Sequence, residues 1–118
     1  MTNEATPETN ETADEPVQVQ GREEFDELVG DEAVVLVDFY ADWCGPCQML
    51  APVVDSLAAE TDATVAKVDV DANQKLAGAY GVQGVPTLLL FADGEAVERV
   101  VGVRPKEQLA SLIGEYAE

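Results

Sequence analysis

Histidine is absent from this 118-residue chain, and cysteine occurs only twice. Without an imidazole there is no Cys-His pair for acyl transfer. A monomer also has no third or fourth sulfur or nitrogen donor to close a tetrahedral zinc site, so no metal is expected. Basic residues are scarce. Six Lys and Arg, three of them lysine, stand against 24 Asp and Glu, for a formal charge of -18, which repels a nucleic-acid backbone. Long apolar runs are missing as well, since no segment approaches the roughly 20 apolar residues of a membrane-spanning helix. The N-terminal stretch, with its Thr, Glu and Asn residues and Pro7, has neither the basic nor the apolar region of a secretory signal. A cytoplasmic protein without a membrane partner is expected.

What is present suffices for one domain: 47% of the residues are hydrophobic, and single domains commonly run about 100 to 150 residues. Residues 1–16 hold five acids, no base and little apolar surface, which predicts a disordered acidic tail ahead of a domain spanning 17–118. Within the tail, Asn10-Glu11-Thr12 matches a glycosylation acceptor pattern that carries no weight without a secretory signal. The other 19 acids, against six bases, belong to the folded part. Like charge at this density destabilises a compact state unless salt screens it, and about 1 M salt shortens the screening length to about 3 Å. A salt-rich, halophilic cytoplasm is the leading explanation, and an ordinary acidic protein is the alternative.

Hydrophobic periodicity predicts the element order βαβαβαββα and hence a mixed sheet with helices on both faces. A short strand near Val17 to Gln20 precedes an amphipathic helix from about Arg22, with Phe25, Leu28 and Val29 on one side and Gly30 as its end. Ala33 to Tyr40 is apolar at successive positions, as in a central strand covered on both faces. A long helix from about Cys44 to Glu60 places Met49, Leu50, Val53, Val54, Leu57 and Ala58 at helical spacing, and Pro52 predicts a kink in it. Strands follow at Ala63 to Val70, Thr87 to Phe91 and Ala96 to Val101, the last two joined by an Asp93-Gly94 hairpin turn. A short helix at Asn73 to Tyr80 ends at Gly81. The final helix begins at about Pro105 and turns Leu109, Leu112 and Ile113 toward the core.

The two cysteines stand as Trp43-Cys44-Gly45-Pro46-Cys47, directly after the apolar strand. Random placement would put two cysteines three apart about twice in a hundred trials, and a cytosolic Cys-x-x-Cys is more often catalytic or metal-binding than a structural staple. With metal lacking ligands, redox chemistry remains. At the first helical turn, Cys44 meets unpaired N–H groups and the positive end of the macrodipole, which favour the thiolate. It is expected as the exposed nucleophile, with Cys47 one turn later within reach for a second attack. Gly45 removes bulk where a substrate chain approaches, and Pro46 lies where its missing N–H costs least. A carboxylate at Asp38, inside a doubly covered strand, calls for a role or a partner, and Lys67 in Val65-Ala66-Lys67-Val68 is the expected partner. The alternatives are an Asp38 turned out at a strand end and a Lys67 that snorkels from an edge.

The segment from Val37 to Cys47 resembles the active-site segment of the thioredoxin family, and Gly84-Val85-Pro86-Thr87 resembles the proline loop that faces it. The likeness runs from about Val17 to the C-terminus. It implies the thioredoxin fold, an α/β architecture with a central mixed five-stranded sheet flanked by four helices. It also implies a proton-transfer role for Asp38 beneath Cys47, with Lys67 as its companion, and a cis bond before Pro86. Trp43, Gly45, Pro46, Val85, Pro86, Gly102 and Val103 would then form a flat, mostly apolar docking surface, where the Val85 backbone pairs with an extended substrate. Two positions depart from the family pattern: Gln48 replaces a frequent basic residue, and Tyr40 replaces a frequent tryptophan.

By this resemblance the activity is protein-disulfide reduction by dithiol–disulfide exchange, with Cys44 attacking and Cys47 resolving. The redox-active Cys44–Cys47 pair would work without a bound cofactor in a monomer re-reduced by a thioredoxin reductase. Clients would be disulfide-containing proteins such as ribonucleotide reductase, peroxiredoxin or methionine sulfoxide reductase. A disulfide oxidase or isomerase, and a binding subunit whose cysteines are incidental, are the alternatives; reduction potential separates the first from a reductase.

Overall fold

The computed structural model describes residues 14–117. Most of the expected tail, with the Asn10-Glu11-Thr12 pattern, lies outside the described residues. Among the described residues, five strands and four helices follow one another as β1 (Val17–Gln18), α1 (Gly21–Asp31), β2 (Val34–Tyr40), α2 (Gly45–Glu60), β3 (Thr64–Asp69), α3 (Gln74–Ala79), β4 (Thr87–Ala92), β5 (Glu95–Val101) and α4 (Lys106–Tyr116). The sheet order is β1-β3-β2-β4-β5. Strand β3 runs parallel to both β1 and β2, β4 is antiparallel to β2, and β5 is antiparallel to β4. Parallel pairs need helical crossovers, and the late hairpin needs only the tight turn that Asp93 and Gly94 supply at φ 52° and 87°.

Alternation along β2 divides the core in two. Val35, Val37 and Phe39 join Phe25 and Val29 of α1 and Leu76 of α3 on one face. Val34 and Leu36 join Leu50, Val54 and Leu57 of α2 with Leu109 and Ile113 of α4 on the other. The even-numbered residues Asp38 and Tyr40 therefore share a face with α2, the helix that carries Cys47. Lys67 reaches the same face, since it has the parity of Val65 and stands in register with Asp38 across the β2–β3 pair.

Several local expectations change. β1 stops at Gln18, although the Val19 N–H still donates to the Lys67 carbonyl at 2.9 Å. Gly30 lies inside α1, which ends at Asp31 with the Glu32 N–H bonded to the Leu28 carbonyl. α2 itself keeps close to its expected span, Gly45 to Glu60, with Pro52 inside it and exposed. Met49 is not a core residue. Leu50, Val54, Leu57 and Ala58 make the inward stripe, and Met49, about 100° round the helix from Leu50, is 71% exposed. Among the described residues no helix is long and apolar enough to cross a membrane.

Candidate active site

β2 delivers the chain to a turn, Ala41-Asp42-Trp43, fixed by the Cys44 N–H donating to the Ala41 carbonyl at 3.2 Å and by Gln48 Nε2 donating to the Asp42 carbonyl at 3.1 Å. Cys44 then serves as the N-cap of α2. Its Sγ accepts from the Cys47 N–H at 3.1 Å, the place usually taken by a Ser or Asp oxygen, so the sulfur sits against the positive end of the helix. Cys44 and Cys47 are joined as a disulfide with Cα atoms 5.3 Å apart.

The facing loop closes over this pair. Val85–Pro86 is a cis peptide, Thr87 Oγ1 donates to the Gly84 carbonyl at 2.6 Å, and the Val85 carbonyl oxygen lies 3.7 Å from Cys44 Sγ. The Gly102 N–H donates to the Pro86 carbonyl at 2.9 Å, which ties the end of β5 to the same loop. Gly102 itself stands at φ 94°, in the left-handed region a side chain would strain.

Burial differs from expectation at the first cysteine. Cys44 is 4% exposed and Cys47 6%, since the pair packs in one cluster with Ala41, Tyr40, Val70 and Val85. The exposed part is the rim. Trp43, 70% exposed, stands with the open Gly45 and Pro46 on one side, and half-buried Val85 and exposed Val101 and Val103 on the other; Pro86 is buried beneath. The Trp43 indole is held: its Nε1–H donates to Asp71 Oδ2 at 2.8 Å. Asp71 carries no sequence signal for this contact, which only the fold creates by bringing the end of β3 beside the active-site turn.

Beneath α2, Asp38 is 1% exposed, and its Oδ1 has no hydrogen-bond partner. Burial pushes its carboxyl up from 3.8 to about 6, with the Lys67 charge pulling the other way. Lys67 is not in ion-pair contact with Asp38. The ion pairs among the described residues are Arg22–Asp26 and Lys106–Glu60, and the Lys67 ammonium instead lies 4.7 Å from the centre of the Tyr40 ring. A cleft of about 210 Å³ lined by Tyr40, Ala41, Asp42, Cys47, Gln48, Ala51 and Lys67 opens beside the second sulfur.

A helix-capping Cys-x-x-Cys disulfide, a cis-proline loop against it and a buried carboxylate on the same sheet face form a coherent redox centre. The sequence profile described as Thioredoxin matches residues 16–115. The thioredoxin of Chlamydia pneumoniae is 47% identical over 102 residues, covering 86% of this chain and 99% of that protein. The chain belongs to the thioredoxin family. A thioredoxin of Bacillus subtilis is 52% identical over 87 residues, covering 72% of this chain and 84% of its own length. Among solved structures, a single-site variant of the thioredoxin of Halobacterium salinarum NRC-1 is 64% identical with a TM-score of 0.88, covering 91% of this chain and 95% of that one. The activity is accordingly that of the thioredoxin family, a thiol-disulfide oxidoreductase reducing disulfides through the Cys44–Cys47 pair. Disulfide-containing substrates and a reductase are the kinds of partner the family membership implies.

Proposed function

We propose that Cys44 is the attacking residue and Cys47 the resolving one. In the reduced protein the Cys44 thiolate, stabilised by the Cys47 N–H and the helix terminus, attacks a substrate disulfide. The substrate's first sulfur leaves as a thiolate and a mixed disulfide forms. Asp38 takes the Cys47 proton through water in the cleft. Cys47 then attacks Cys44 Sγ, the second substrate sulfur departs, and the Cys44–Cys47 disulfide remains for a thioredoxin reductase to reduce by two electrons. A base raised to about 6 is ionised at neutral pH yet basic enough to accept a thiol proton. Lys67 supplies the counter-charge. Trp43, Gly45, Pro46, Val85, Gly102 and Val103 receive an extended substrate segment, and Pro86 supports them from below.

The observation that carries this reading is the 3.1 Å bond from the Cys47 N–H to Cys44 Sγ, which singles out one sulfur for anion stabilisation. Incubating Cys47→Ser with a disulfide protein should accumulate a mixed disulfide through Cys44, while Cys44→Ser should trap little. Equal trapping by both variants would reverse or dissolve the division of labour.

The same reading places the chain in a salt-rich cytoplasm, acting as a monomer without a bound cofactor or metal on clients such as ribonucleotide reductase, peroxiredoxin or methionine sulfoxide reductase. The -18 charge and the 64% identity to the Halobacterium protein support the saline setting. So does the use of the six cations. Arg22 and Lys106 are in ion pairs, Arg99 donates to the Tyr80 carbonyl, Arg104 to the Val103 carbonyl, and Lys67 lies on Tyr40, so few remain to neutralise the surface. Residues 1–16, with five acids and no base, are read as an acidic tail to the 17–118 domain.

A further inference from the structure

Four side chains from three adjacent strands meet on the α2 face of the sheet. Gln18 stands in register with Lys67 across β1–β3, and Lys67 with Asp38 across β3–β2. Tyr40 lies two residues beyond Asp38 on the same strand face, about 7 Å along it. The Gln18 amide bridges the group: Nε2 donates to the Tyr40 hydroxyl at 2.7 Å and reaches the Lys67 carbonyl at 3.4 Å. The ring so fixed carries the Lys67 ammonium at 4.7 Å from its centre. Tyr40 stays neutral in this role, since burial pushes its phenol up and the carboxylates Asp69, Asp42 and Asp38 add to that rise, against the opposing bond from Gln18.

A lysine on this face has other choices. Asp38 is beside it, Asp42 and Asp69 flank Tyr40, and the surrounding surface is strongly negative, yet Lys67 is in none of the ion pairs among the described residues. Attraction to a ring face needs no carboxylate, and a half-buried cation at that distance is screened by salt less than an exposed ion pair is. We propose that Tyr40 and Gln18 are positioning residues: the hydroxyl-anchored ring holds the Lys67 ammonium at a fixed place between solvent and Asp38, and so sets the charge state of the buried carboxylate. Lys67 also lines the cleft beside Cys47, so the clamp bears on the electrostatics of the space through which the resolving thiol loses its proton. That link to turnover rests on the reading of Asp38 as proton acceptor; the effect on the carboxylate does not.

Among the described residues, the groups that act on Asp38 are Lys67 from β3 and Tyr40 from its own strand, with Asp42 and Asp69 acting on Tyr40. Lys67 is the cation that lowers it. Freed from the ring, Lys67 moves outward toward the exposed acids, and the carboxyl titrates higher. The test follows the carboxyl ¹³C shift of Asp38 with pH in the oxidised protein at constant molar KCl. Tyr40→Leu should raise the midpoint by about half a pH unit or more. Lys67→Met should raise it at least as far, and the double variant no further than Lys67→Met alone. Tyr40→Phe and Gln18→Leu, which keep a ring in place and leave the core intact, should each give a smaller rise. The acid limb of the pH–rate profile for disulfide reduction should move with the midpoint. An unmoved or lowered midpoint in Tyr40→Leu, or rises that add in the double variant, overturns the proposal. If Asp38→Asn instead turns over at the wild-type rate, the proton-acceptor reading fails while the midpoint result stands.

Discussion

Replacing Asp38 by asparagine should stabilise the fold, and by an amount that depends on pH in a defined way. The carboxyl titrates at about 6 in the folded chain against 3.8 when free, because burial disfavours its ionised form. Between those values the native state binds more protons than the unfolded state, so stability falls as pH rises through the window. Above it the burden is constant. Each pH unit is worth about 1.36 kcal/mol, which makes the ionised carboxylate cost about 3 kcal/mol at pH 8. An asparagine amide would keep the shape and lose the charge. The orphaned Oδ1 adds to the argument, since no hydrogen bond is forfeited at that atom. Urea unfolding of both proteins at constant molar KCl, from pH 4 to pH 8, measures the difference. The gain should approach about 3 kcal/mol at pH 8 and shrink below about 1 kcal/mol at pH 4. A pH-independent gain would assign the effect to packing, and a loss at pH 8 would refute the reasoning outright.

Two further outcomes are expected. Urea unfolding at low and multimolar KCl should show marked stabilisation by salt, because -18 of formal charge repels itself at low ionic strength; unfolding midpoints that ignore salt would remove the saline-cytoplasm reading. Phe25→Ala should destabilise by about 3 to 5 kcal/mol, since this 1% exposed ring lies 5.3, 5.7 and 6.4 Å from Tyr80, Phe91 and Phe39, centre to centre. A change under about 1 kcal/mol would show that the aromatic cluster collapses to fill the space.

Elements with strong periodicity or an unambiguous turn are legible in the sequence alone. Ala33 to Tyr40 read as a central strand because both of its faces are apolar, and Asp93-Gly94 read as a hairpin because few other pairs accept positive φ at both positions. The disulfide pair and the proline loop came from local motifs. What escaped was set by angles and distances between elements. Met49 belongs by spacing to an apolar stripe, but the sheet meets α2 along the line of Leu50, Val54 and Leu57 and leaves Met49 outside it. Cys44 occupies an exposed-looking loop tip, yet the proline loop, more than 40 residues away in sequence, covers its sulfur. Lys67 and Asp38 stand opposite each other in register, and only the placement of the Tyr40 ring shows why the ammonium rests elsewhere. Asp71 as the anchor of Trp43 has no local signature at all.

The division of β2 into alternate faces also bears on how this segment can change over time. Asp38 shares its sheet face with α2 only because it lies an even number of residues from Val34 and Leu36. Exchanging one aliphatic side chain for another along the strand leaves that count intact. Inserting or deleting a single residue between Val34 and Asp38 would rotate the carboxylate through the sheet to the Phe25 side and turn Phe39 onto the α2 face. The strand is therefore free to drift in composition and is held fixed in length.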